Sequence, residues 1–266
     1  FRAVGSPCAD ETGPGKWRVV LDGTRGAALT FELAEQIVGW PYFTIHAPAG
    51  TVVELLVHEA HETGGPPLLN THWESWSRFV CKEGENTFEP FDYESLRWLQ
   101  LHIHGIVGEV RIERVGVRRR IFPWPHIPQV SCSDPDLQSL LDASINTLHN
   151  SAQETLVDGM ARERQQYSGD CGHQAHAIYF AFGETRLPGR YIHTYSQGIT
   201  HEGYFLDCWP AYDRLCRVMQ RQLFLSKWGP ILDHGIGFVF DCFHHYMYSG
   251  DLSSLEKPFA ALTRFV

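Results

Sequence analysis

From about residue 17 to 120 apolar and polar positions alternate with a period of two. TVVELLVHEA sets Val53, Leu55 and Val57 against Glu54 and His58, and LRWLQLHIHG puts Leu99, Leu101 and Ile103 on one face with Gln100, His102 and His104 on the other. EVRIERVGVR carries Val110 and Ile112 and then, after a slip, Val115 and Val117. Such alternation marks half-buried antiparallel strands. The turn signals DG, GG and APAG between them predict a β-sandwich. RRRIFPWPHIPQ, residues 118–129, breaks the pattern with three prolines, each pushing its predecessor toward extended geometry. Beyond it the period becomes three and four. Leu137, Leu140, Leu141, Ile145, Leu148, Ala152 and Leu156 form one stripe, with Ser133 or Asp134 as N-cap and Pro135 in the first turn, and they predict an amphipathic helix. Further helices are expected at about 171–183, 208–225 and 235–249. The expected architecture is therefore two domains of different class: an antiparallel β-sandwich over 1–117, a Pro-rich linker over 118–129, and an all-α segment over 130–266.

Composition narrows the function. A hydrophobic share of 43% with 13% aromatics is that of a chain with a sizeable core, and a formal charge of -9 leaves no basic footprint for nucleic acid. The apolar runs are strand-sized, and the first residues, FRAVGSPCADETG, lack the layout of a signal peptide, so no membrane partner is expected. Seven cysteines without a CxxC pair fit reduced thiols in a cytoplasmic protein. GxGxxG, GxxxxGK and GxSxG are all missing, which removes the phosphate-cradling and serine-nucleophile classes.

The chemistry concentrates in DGMARERQQYSGD, residues 158–170, where Asp158, Glu163 and Asp170 surround Arg162, Arg164 and Tyr167. If the second part of the segment is helical, Glu163 and Asp170 share a face, and Asp158 joins them from a loop. Crowded carboxylates raise the pKa of at least one, which a general acid needs. The plainer alternative is a helix start whose acids favour the dipole and whose arginines pair with them. Three lesser constellations stand beside it. His72, Trp73 and Trp76 could form a sugar-binding face of the sandwich, although an inter-strand loop is the plainer account. His102 and His104 read as a polar strand face, since no third metal ligand is evident, and His244 and His245 of FHHYMY read as core of an aromatic helix.

The 158–170 segment resembles the D-C-P-x-R-D-E-R-x-G-W-x-G-D signature of the α-L-rhamnosidases of glycoside hydrolase family 78, inverting enzymes that remove terminal α-L-rhamnose. VGWPYFTIHAPAGTVVELLVHEAHE, FEPFDYESLRWLQLHIHG and VGVRRRIFPWP look like the β-sandwich that precedes their catalytic barrel. By that resemblance Glu163 is the general acid, Asp158 and Asp170 hold rhamnose hydroxyls, and Arg162 is the signature arginine. Tyr167 takes the place of an aromatic platform that is usually Trp. GYFLDCWPAYD and WGPILDHGIGFVFDCFHHYMYSGD resemble later barrel segments, which adds Asp207, Trp209, Asp233 and His234 as pocket candidates. Two features depart from the pattern: the segment is one residue shorter, and Gly159 and Met160 replace Cys-Pro.

The family's catalytic domain is an (α/α)6 barrel of six helical hairpins, and the residues after the linker suffice for about its first half. The general base is accordingly expected beyond Val266, with the missing half of the barrel or a second copy as partner. The implied activity is hydrolysis of α-L-rhamnosides without cofactor or metal. The alternatives are another α-linked sugar on the same scaffold, or a non-catalytic carbohydrate-binding fragment.

Overall fold

The structure is a computed structural model that describes residues 9–24, 26–61, 76–128, 130–210 and 231–266. The chain divides into two compact units, Phe1–Arg120 and Ile121–Val266.

The first unit is an antiparallel β-sandwich of eight strands: β1 (Ala9–Gly13), β2 (Lys16–Asp22), β3 (Ala27–Ala47), β4 (Val52–His58), β5 (Trp76–Val80), β6 (Gly84–Phe88), β7 (Glu94–His104) and β8 (Val107–Arg119). One strand organises it. The first half of β3 pairs with β7 from Ala27↔Ile103 to Gly39↔Glu94, whereas its second half pairs with β8 on one side and β6 on the other. The register breaks between Glu32 and Ile37, and there β3 passes from the β7-β4-β5 layer to the β1-β2-β8 layer. Residues of period two from both layers close the core: Val19 and Leu21, Leu29 and Phe31, Phe43 and Ile45, Val53 and Leu55, Leu101 and Ile103, Val110 and Ile112. Gly39 is where β3 runs closest to β8, since a Cβ there would lie 2.4 Å from the Arg118 carbonyl oxygen.

His102 and His104 lie on a polar strand face, as expected. His102 Nε2 meets Gln100 Oε1 at 2.6 Å, and His104 faces Glu54 on β4 at 3.8 Å. His72 and Trp73 lie outside the described residues, and the exposed Trp76 carries the Arg78 guanidinium over its ring at 5.4 Å.

The second unit is all-α: α1 (Pro135–Ser151), α2 (Ser168–Phe182), α3 (Arg186–Tyr195), a 3-10 turn (Ser196–Gly198), α4 (Leu232–Ser249) and α5 (Ser253–Phe265). Asp134 caps α1 by accepting from the backbone N–H of Asp136 and Leu137. The helix ends at Ser151, short of the stripe's last members. Ala152 and Leu156 are buried instead as an isolated β-bridge, because the chain turns back on itself there. The expected helices at 171–183 and 235–249 correspond to α2 and α4, and most of the one at 208–225 lies outside the described residues. Two helices were not anticipated: α3, with Pro188 in its first turn, and α5, with Pro258 inside it.

Leu148, Ile178, Phe182, Tyr191, Tyr195, Phe205 and Phe238 form the helical core. Phe122 and Trp124 of the Pro-rich segment pack on it, with Trp124 stacked on Phe182 at 4.0 Å and donating Nε1–H to His149 Nδ1 at 2.8 Å. On one side the helices stay uncovered. Leu232, Ile236, Phe240, Phe243 and Met247 recur along α4 and are all exposed, as are Leu137 and Leu140 on α1, the apolar edge of a barrel that is not closed.

Candidate active site

The segment between α1 and α2 builds the site from a loop that is bonded mainly to itself. Asp158 and Gln165 exchange two bonds across its neck: the Asp158 N–H donates to the Gln165 carbonyl at 3.0 Å, and the Gln165 N–H donates to Asp158 Oδ1 at 2.9 Å. Inside the neck the Arg164 N–H reaches the Gly159 carbonyl and Arg164 Nε the Met160 carbonyl, both at 2.9 Å. Arg164 itself takes a left-handed φ of 55°, which costs a non-glycine residue strain that the two bonds offset. Gln165 Nε2 holds the Glu163 carbonyl at 2.6 Å. Part of the polar density of this segment is therefore structural.

The loop delivers Glu163 into a knot of three partners. Arg162 donates to its carboxylate, and hydrogen bonds join its carboxyl to the Asp158 carboxyl and the Tyr167 hydroxyl. Two carboxyls can bond each other only when one holds a proton. Burial, then the Glu163 contact, pushes the Asp158 carboxyl up to about 7. The Tyr167 hydroxyl is pushed well above its ordinary range, first by burial and then by nearby carboxyl and thiol groups. Glu163 lies in a turn and Asp170 in α2, so the shared helical face expected for them is not what joins the site.

A second group sits across α2 and α4. Asp170, Asp233 and His234 line an open cleft of about 540 Å³ together with His173, His176, Asp241 and His244. The Tyr167 ring links the two groups, meeting His234 edge-on at 6.1 Å. Because that ring is buried, it is no open platform for sugar and acts through its hydroxyl on Glu163. Close approach is built in by Gly169, where a Cβ would lie 2.7 Å from His234 Nε2. Asp207 is buried, with its carboxylate accepting from the Cys208 N–H at 3.0 Å and its carbonyl 3.4 Å from His234 Nδ1. Trp209 is tied by its backbone to Gln166, whose amide spans the Trp209 carbonyl at 2.6 Å and Thr194 at 2.9 Å. Trp209 thus supports the loop from behind through Gln166, while Asp207 lies behind His234.

Sequence reasoning missed Asp241 and His244 as cleft residues. His244 was taken for core, yet only its neighbour His245 is, bonded to the Tyr179 hydroxyl at 2.8 Å. His244 instead pairs with His176 at 3.2 Å on the cleft wall. The α4 periodicity could have separated the two, since adjacent helical positions face different ways. Among the described residues no group of His, Cys, Asp or Glu could hold a metal ion, and no helix is long and apolar enough to cross a membrane.

Comparison with known proteins supplies the relationship. The chain superimposes on a GH78 family rhamnosidase of Bacillus sp. GL1 with a TM-score of 0.82 and 19% identity, covering 96% of this chain and 25% of that one. It also matches a rhamnosidase from Klebsiella oxytoca with rhamnose bound (TM-score 0.74, 16% identity, 99% of this chain and 54% of that one). A third match is a Streptomyces avermitilis α-L-rhamnosidase complexed with L-rhamnose (TM-score 0.63, 17% identity, 100% of this chain and 24% of that one). This chain therefore spans between about a quarter and a half of the length of these structures. No curated protein sequence matches it. The model of the bacterial α-L-rhamnosidase six-hairpin glycosidase domain matches residues 125–266, more than half of the chain, and the protein belongs to that family.

Proposed function

We propose that this protein takes part in the hydrolysis of terminal α-L-rhamnosides with inversion, Glu163 acting as general acid. The observation that carries this reading is the knot at Glu163: a carboxyl pair with Asp158 that must hold a proton, closed by Arg162 and Tyr167. The Glu163 side chain keeps 22% of its surface open, so it is placed to pass that proton to a glycosidic oxygen while Asp158 stays behind it as reservoir. Arg162 draws developing negative charge on Glu163 after the transfer. Asp170, Asp233 and His234 offer acceptors and a ring edge to the sugar hydroxyls in the adjoining cleft.

Inversion also needs a second carboxylate roughly 6.5–9.5 Å from the acid, with water between. Asp158 is in hydrogen-bond contact with Glu163 and is too close for that role. The base is therefore a carboxylate other than Asp158. No cofactor enters this chemistry, and the substrate is a carbohydrate.

The test is release of p-nitrophenol from its α-L-rhamnoside by the protein and by Glu163→Gln. A fall of about a hundredfold or more is expected for a lost general acid; equal rates in the two would remove Glu163 from that role. A panel of other p-nitrophenyl α-glycosides separates rhamnose from other α-linked sugars. The uncovered α4 face favours a second reading, a sugar-binding module that does not turn over by itself, which predicts L-rhamnose binding without p-nitrophenol release.

A further inference from the structure

We propose that Asp241, at the floor of the cleft between α2 and α4, is a further substrate-binding residue whose carboxylate accepts a hydrogen bond from a sugar hydroxyl. It rests on the reading of this cleft as the sugar site and extends that site about two turns along α4 from Asp233.

Three observations from three helices converge on this carboxyl. From α3 the buried Tyr191 hydroxyl donates to Oδ2 at 2.7 Å and so fixes the orientation of the group. From α2, Gly172 leaves it room: a Cβ there would lie 2.5 Å from Oδ1 and 2.7 Å from Oδ2, closer than real Cβ atoms come. From α4 itself, Asp241 lines the cleft beside His244, within the same 540 Å³ volume as Asp170, Asp233 and His234.

The Tyr191 bond is the only hydrogen bond to Asp241 among the described residues, which leaves Oδ1 without a donor. Oδ1 opens onto the cleft and is not among the buried unbonded atoms, so its lone pairs are available to a ligand donor. Tyr191 has a second acceptor in the Ser168 carbonyl at 3.4 Å, so its hydroxyl does not require a carboxylate. What the group offers is a fixed acceptor facing a space of the size that small ligands fill. Hydroxyl-rich ligands bring the matching donors. Burial lifts the Asp241 carboxyl to about 6, while Tyr191, His244 and His173 pull the other way, so it is mostly ionised, and an acceptor, at neutral pH.

Two variants test this. Asp241→Asn keeps an oxygen for Tyr191 and turns the open oxygen into a donor; Gly172→Ala leaves the carboxylate but forces it from its place, with Ala otherwise favoured in a helix. In each, kcat and KM are measured on p-nitrophenyl α-L-rhamnoside and the Kd for L-rhamnose by ligand-observed NMR, with the helical unfolding midpoint alongside. The expected result is a KM and Kd raised about tenfold or more in both variants, with kcat within about threefold, as loss of one bond to a charged acceptor gives. A purely structural Asp241 would lower the midpoint and leave Kd unchanged, which overturns the proposal. Turnover by the protein with KM unchanged in Asp241→Asn overturns it while leaving the rhamnosidase reading intact. Asp241-dependent binding of another monosaccharide in a panel, with no rhamnoside cleaved, upholds the binding role and overturns the substrate assignment. No binding of any sugar overturns both.

Discussion

Replacing Asp158 by asparagine separates the proton at the site from the hydrogen bonds that hold the loop. The amide oxygen still accepts from the Gln165 N–H, the bond made at 2.9 Å, so the neck of the loop persists. What disappears is an ionisable group whose pKa moves from 3.8 to about 7 on folding, through burial first and contact with Glu163 second. The folded chain binds that proton more tightly than the unfolded chain does. The stabilisation is therefore complete below pH 3.8 and is lost as the pH rises through about 7. Between pH 5 and pH 7 the wild type should lose about 2.7 kcal/mol from this group at 1.36 kcal/mol per unit, and the carboxyl's partial exposure reduces that to about 1 kcal/mol.

The variant cannot lose it. Urea unfolding followed by the helical circular dichroism signal, which reports the second unit, should show Asp158→Asn gaining about 1 kcal/mol on the wild type between pH 5 and pH 8. A wild-type-to-variant difference that is the same at both pH values would refute the claim that folding lifts the Asp158 carboxyl to about 7.

Phe238 is fully buried among Tyr191, Tyr195 and Phe205, so Phe238→Ala should cost the helical unit about 3–5 kcal/mol, read as a fall in its urea midpoint at unchanged slope. Asp134→Ala removes the two capping bonds of α1 and should cost about 1 kcal/mol in the same assay. Gly39→Ala should force apart β3 and β8 at the Arg118 carbonyl and lower the thermal midpoint of the sandwich, with the helical signal retained.

How far the sequence discloses this molecule depends on whether a position is judged by its neighbours in the chain or by partners far from it. The strands around Leu55 and Ile112 were legible because each is buried on one face only, that around Leu101 because its apolar residues alternate even though Trp98 and Gln100 on its other face are buried as well, and α1 because Asp134 and Pro135 announce its start. The length of β3 was not legible, since at Glu32–Ile37 both register and burial are interrupted although the strand continues. In α3, Pro188 and Gly189 read as breakers, yet proline is tolerated in a first turn, and Gly189 admits the His245 ring, whose Nε2 would lie 3.3 Å from a Cβ. The crowding of acids at 158–170 pointed to the loop, but composition could not say that Asp158 would be the buried one. Asp241 left no local sign at all, because its partners Gly172 and Tyr191 come from two other helices.

The doubled use of β3 has a consequence for synthesis. A strand emerging from the ribosome finds β6 first, when Gly84 can reach Ala47, and then β7; but the layer holding β1 and β2 has no inner neighbour until β8 arrives, with Asp22↔Val107 and Gly39↔Arg119 among the last pairs available. The sandwich must wait, half zipped, until the chain has been made to the threshold of the helical unit. Its closure is an event of long sequence separation and therefore slow. A pause placed after Arg119 would let it finish before the helices appear, whereas a chain released earlier would carry an open β2 edge ready to pair with another copy.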